Sequence, residues 1–259
     1  MTSLAIKYTP LGGMIYLAMA LHLLAAGLYL LRARRLGEVA FAAGFVLAAA
    51  AWALRWAQVQ HPPMQNLFEV FLTLAVLLYP LSLFCRKLLS VPLPAVDALI
   101  AVAVLFPAGL VFSAQPQTLP PPLRIWLFVP HVAAYMLAYV VLFMAAAQAA
   151  AHIITGRDEY EPATWRMVRF GFPLLTLGLV LGAVWGKLAW GDYWNWDPKE
   201  LWSLASWLLL AAYLHFRPAS AVRFKRLNSA WVLLACTAIL MTLLWVNISR
   251  LFAGLHSYA

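Results

Sequence analysis

Charged side chains are scarce in this sequence. They make up 10% of its 259 residues, against 65% hydrophobic, and the mean hydropathy is +0.83. A soluble globular domain carries about 25% charged residues, so the composition excludes that class and points to an integral membrane protein. Cysteine is nearly missing. Only Cys85 and Cys236 are present, beside or within apolar segments and without CxxC spacing, which leaves thiol redox chemistry and covalent heme attachment through a CxxCH of this chain unsupported. The first apolar run also lacks a basic stretch ahead of it. Arginines follow it instead, the reverse of a secretory signal peptide, so it is expected to be a retained helix with its N-terminus outside.

What the sequence has in quantity is long apolar runs. A bilayer core about 30 Å thick asks for roughly 20 apolar residues per helix. Eight stretches qualify, near 14–31, 39–57, 67–84, 95–113, 126–153, 171–189, 201–216 and 229–247. The expected fold class is therefore all-α: a polytopic integral membrane protein of about eight transmembrane helices in a single domain spanning 1–259. Connections of roughly 7 to 17 residues leave no extramembrane domain, so any chemistry belongs to helices and short loops.

The net charge of +9 would raise the question of nucleic acid in a soluble chain, but its distribution matters more than its sum. Twelve of the eighteen basic residues, Arg32, Arg86, Arg157 and Arg226 among them, lie in the loops at 32–38, 85–94, 154–170 and 217–228. By the positive-inside rule these loops are cytoplasmic. Both termini and the loops near 58–66, 114–125 and 190–200 then face outward. The lipid bilayer is a partner by this reading and nucleic acid is not.

The outward loop at 190–200 combines indoles with charge. Asp197, Pro198 and Glu200 ahead of an apolar run fit an N-cap, a proline in the first turn and a capping box, which explains both carboxylates without catalysis. Asn66 and Glu69 stand in the same cap-plus-three relation ahead of the third apolar stretch. Trp185, Trp190, Trp194, Trp196, Trp202 and Trp207 make six of the twelve tryptophans within 23 residues. In an extended segment Trp194 and Trp196 point the same way, a flat apolar wall that suits a large planar ligand; a bare interfacial belt is the alternative.

Histidine adds a second signal, because imidazole is the usual protein ligand of heme iron, zinc and copper. His131, close to the outward end of the fifth stretch, and His256, in the outward tail, make a plausible pair at the level of the tryptophan loop. His215 lies about 14 residues into its helix, roughly 21 Å down, in the inner third of the membrane. It cannot share a metal with the other two. His22, His61 and His152 read as hydrogen-bonded or headgroup-facing residues.

The run Trp190, Gly191, Asp192, Tyr193, Trp194, Asn195, Trp196, Asp197 resembles the W-G-x-x-W-x-W-D signature of the heme-handling cytochrome c assembly membrane proteins. The continuation DPKELW, the upstream PPMQNLFE and the C-terminal GLHSY are similar to the CcsA (ResC) branch of the system II synthetase. The system I heme handler differs in having fewer helices and another continuation after the aspartate. The resemblance runs from about residue 55 to the C-terminus. It implies that His131 and His256 are axial ligands of an outward heme, with Trp190, Tyr193, Trp194, Trp196, Asp197 and Trp202 forming its platform, and that His215 belongs to an inner heme site.

Heme b is then a transient substrate, held for thioether attachment to the CxxCH of apocytochrome c. A CcsB (ResB)-like membrane protein is the implied partner and the source of the other inner ligand, with His22 a secondary candidate within the chain. The implied location is the bacterial inner membrane, with the tryptophan loop on the periplasmic side. Lys199, Arg124 and Arg250 are the outward cations available for heme propionates. Two alternatives are a HemX-type heme-binding regulator and a structural or transport subunit that binds no heme. The GLHSY tail and PPMQNLFE loop favour the synthetase component.

Overall fold

The computed structural model describes residues 6–220, 223–248 and 254–256. Eight long helices form among them, with no strand. The chain divides into two compact units, Met1–Leu88 with Leu93–Leu119, and Leu89–Pro92 with Pro120–Ala259.

The first unit contains α1 (Pro10–Leu30), α2 (Arg34–Val59), α3 (Leu67–Leu88) and α4 (Pro94–Phe106), the last prolonged by a π-helical turn, Pro107–Val111. Thr9 starts α1 by accepting the Gly12 amide at 3.1 Å, and Pro10 occupies the first turn, where no amide is needed. Small buried residues, among them Ala18 and Ala25 of α1 and Ala40 and Ala48 of α2, line these two packed helices. Small side chains let helix backbones approach closely.

At the start of α3 the expected cap forms: Asn66 Oδ1 accepts the Glu69 amide at 3.1 Å. The Glu69 carboxylate does more than the cap requires. Its Oε2 accepts the Gln65 amide at 2.9 Å, and its Oε1 accepts from Arg55 Nε at 3.0 Å and Nη2 at 2.8 Å. Both side chains are fully buried, and Arg55 also donates to the carbonyls of Ala114 (2.6 Å) and Gln115 (3.3 Å). One guanidinium thus ties the end of α2, the first turn of α3 and the segment after α4. A buried ion pair needs such extra hydrogen bonds to offset desolvation, which accounts for the glutamate of PPMQNLFE in structural terms.

The second unit contains a 3-10 turn (Pro121–Arg124), α5 (Phe128–Thr155), α6 (Tyr160–Trp190), α7 (Pro198–Ser220) and α8 (Lys225–Leu240), continued through a π turn, Met241–Trp245, to Val246–Ile248. Here α5 packs on α6 and α8, and α7 on both of those. Helix α6 starts well before the expected 171. Tyr160, Ala163, Thr164, Met167, Val168 and Gly171 are buried at helical spacing, while Arg166 and Arg169 break the apolar run that marks a span in sequence. Glu161 in its first turn receives Arg217 of α7 through two bonds, 2.9 and 2.8 Å.

Among the described residues, seven helices are long and apolar enough to cross a membrane. The expected span at 201–216, α7, forms as a helix but falls short on apolarity: it carries buried Ser203 and Ser206 and charged ends in Lys199, Glu200 and Arg217. Two glycines of α6 leave no room for a side chain against α5. A Cβ on Gly178 would lie 2.9 Å from the Tyr135 ring, and one on Gly182 would lie 2.5 Å from His131 Cε1.

Candidate functional site

His131 stands in the first turn of α5, behind Pro130. Its Nδ1 lies 2.8 Å from the Gly178 carbonyl of α6. A carbonyl only accepts, so Nδ1 carries the hydrogen and Nε2 keeps its lone pair. The ring lies nearly parallel to Trp185, with centroids 5.7 Å apart at 12°, and meets Tyr135 edge-on.

His256 reaches the same indole from the C-terminal tail. Its centroid is 5.7 Å from Trp185 and 4.6 Å from Trp190, and its Nδ1 lies 3.1 Å from Asp197 Oδ1. A carboxylate also only accepts a hydrogen, so the neutral ring takes the same tautomer as His131, with Nε2 as its lone pair. Trp185 is the buried centre of the cluster. Its Nε1 donates to Pro122 O at 3.0 Å, and its ring meets Trp190 edge-on at 4.7 Å.

The frame behind His256 is the capped start of α7. Asp197 Oδ1 accepts the Lys199 amide at 2.9 Å, while Glu200 Oε2 accepts the amides of Asp197 (3.1 Å) and Asn195 (2.8 Å). The capping box expected from the sequence is therefore present. Lys199 Nζ donates to the His256 carbonyl at 3.1 Å, so it is engaged with the protein. Burial alone would raise the Asp197 carboxyl; the hydrogen bond from His256, with the amides of Lys199 and Leu255, holds it down to about 2.

Other expected residues fall elsewhere. Trp194 and Trp196 do not make a flat wall: Trp196 takes a left-handed backbone (φ 56°), so the segment is not extended and the two rings stand at 85°. Trp196 and Tyr193 are largely exposed, Tyr193 beneath the Lys187 ammonium at 5.5 Å, and Trp202 makes no ring contact among the described residues. His215 is exposed on α7 and bonds the Ala211 carbonyl through Nδ1 at 2.8 Å. It lies roughly 26 Å along that helix from Pro198, apart from the His131–His256 cluster.

His22 belongs to the first unit. It is buried against Phe41 and Gly44, and neither ring nitrogen has a hydrogen-bond partner among the described residues. His152 bonds Ser229 Oγ at 2.8 Å and His61 the Pro62 carbonyl at 3.0 Å, in line with their reading as hydrogen-bonded residues. Arg250 lies outside the described residues.

Sequence reasoning missed the central position of Trp185 and the roles of Gly178 and Gly182. The available signal was the four-residue spacing of Gly178, Gly182 and Gly186, a small-residue stripe that lets a neighbouring helix approach.

The fold and the cluster define a multi-pass helical membrane protein in which two imidazoles, each with Nε2 left as the lone pair, share one indole. The profile of the family "Cytochrome C assembly protein" matches residues 64–256, and the chain belongs to that family. The chain is 30% identical over 248 residues to the cytochrome c biogenesis protein CcsA of Synechococcus sp. (strain RCC307), covering 79% of this chain and 78% of the relative. With CcsA of Prochlorococcus marinus (strain MIT 9215) it shares 31% over 249 residues, covering 79% and 78%. Among solved structures, the cytochrome c heme lyase CcmF superposes with a TM-score of 0.74 at 28% identity over 92% of this chain. The chain spans about half of that protein, 48% of its length.

Proposed function

We propose that this chain holds heme b as a transient substrate at the His131–His256 cluster and presents it for thioether attachment to the CxxCH of apocytochrome c. It acts as the heme-export and ligation component of a cytochrome c synthetase. A CcsB-like membrane protein is its partner, in the bacterial inner membrane, with the tryptophan loop on the periplasmic side. The observation that carries this reading is the shared state of the two imidazoles: each gives Nδ1–H to an oxygen acceptor and keeps Nε2 as a lone pair. Metal-binding histidines are typically oriented in this way by a carbonyl or carboxylate behind them.

The donor set fits heme. His131 and His256 offer two neutral nitrogens to the iron, and Trp185 and Trp190 supply aromatic faces that exclude water. The Gly178 carbonyl and the Asp197 carboxylate fix the tautomers and raise the basicity of the ligating atoms. Bound heme supplies the vinyl groups to which cysteine thiols add. The chain contributes orientation and desolvation.

The test is to purify the full chain with a CcsB-like partner and compare its absorption spectrum with those of His131→Gly and His256→Gly. Heme lost or weakened in both variants supports the reading; a spectrum unchanged by either replacement overturns it.

A further inference from the structure

We infer that Asp197 is a positioning residue of this site, acting on the ligand through the imidazole of His256. The inference rests on the reading of His256 as a heme ligand. The tail is held at several points. Asp197 Oδ1 takes the imidazole Nδ1–H at 3.1 Å, and Lys199 Nζ takes the carbonyl of the same histidine at 3.1 Å. Gly254 passes so close to Asp197 that a Cβ there would lie 2.3 Å from Oδ2. Only a glycine fits that approach without moving the carboxylate.

The oxygen that faces His256 is also the one that caps α7, through the Lys199 amide at 2.9 Å, and Glu200 holds the Asp197 amide from behind. The imidazole is therefore aimed by a carboxylate whose own orientation is set by the first turn of a helix, where the positive end of the macrodipole favours an anion. Among the described residues, the Nδ1 of His131 meets the Gly178 carbonyl and not a carboxylate. The two ligand histidines are thus unequal. A carboxylate behind His256 would strengthen its donation to a bound iron and favour the oxidised state. The DPKE run serves as helix cap and ligand support at once.

The test compares the full chain, purified with its partner and loaded with heme, with Asp197→Asn, which keeps an acceptor for the cap and removes the charge. We expect the six-coordinate spectral type to persist, the midpoint potential to rise and heme affinity to fall about 10- to 100-fold. In a His256→Gly background restored with imidazole, Asp197→Asn should leave the potential unchanged. A melting point lowered by Asp197→Asn with the potential unmoved would make Asp197 a cap only and overturn the inference. A second readout uses the heme-free protein: the ¹⁵N shifts of His256 report Nδ1–H in the parent and a mixed tautomer in Asp197→Asn, and identical shifts would also overturn it. Absence of heme from the parent protein would instead sink the functional reading, and the tautomer measurement would still decide the role of Asp197.

Discussion

His131 and His256 come from opposite ends of the second unit's sequence, yet both rings rest on Trp185 with the same nitrogen bonded to oxygen. Their candidacy is legible in sequence because each lies at the end of an apolar stretch that the charge pattern places on the same side as the tryptophan loop. Trp185 was not, because which indole faces both histidines depends on how α5 and α6 pack, and periodicity does not encode that register. Trp194 and Trp196 misled for a local reason: alternation holds only in an extended strand, and Trp196 is left-handed. At this scale Gly182→Ala should push the His131 ring aside and lower heme content about tenfold. Gly13→Ala, whose Cβ would meet open space, should leave heme content unchanged; absorbance of purified protein checks both. The Asp197 carboxyl, held below its ordinary value, adds stability that is fully present above about pH 4 and is lost as pH falls toward about 2. Melting curves from pH 6 to 2 should show this dependence in the parent and its loss in Asp197→Asn.

Most helices were visible as apolar runs, because a membrane span is a compositional signal. The early start of α6 was hidden by Arg166 and Arg169, whose guanidiniums break the run without breaking the helix. Arg166 donates instead to the carbonyls of Leu89 and Ser90. Both caps follow from cap-plus-three spacing, but the partner of Glu69 does not, since Arg55 is fourteen residues away on another helix. Removing one member of that buried pair, as in Glu69→Gln or Arg55→Met, should cost about 3–5 kcal/mol. Replacing both with apolar residues should cost less, because no unpaired charge remains. Unfolding in detergent of both single variants and the double variant measures the difference.

Across the whole chain, the basic loops predict orientation. A membrane-impermeant thiol reagent should label Asp192→Cys in intact cells and Arg157→Cys only after permeabilisation, against a background of buried Cys85 and half-buried Cys236. His215, far along α7 from the cluster, is expected to act upstream. His215→Gly should lower the amount of heme at the His131–His256 site without changing its spectral type. The central claim is that His131 and His256 bind one iron, and the electron paramagnetic resonance spectrum of the heme-loaded chain tests it most directly. The parent protein should give a low-spin, two-histidine signal, and His131→Gly and His256→Gly should each turn high-spin until imidazole is added. A low-spin signal that survives either replacement without imidazole would contradict it.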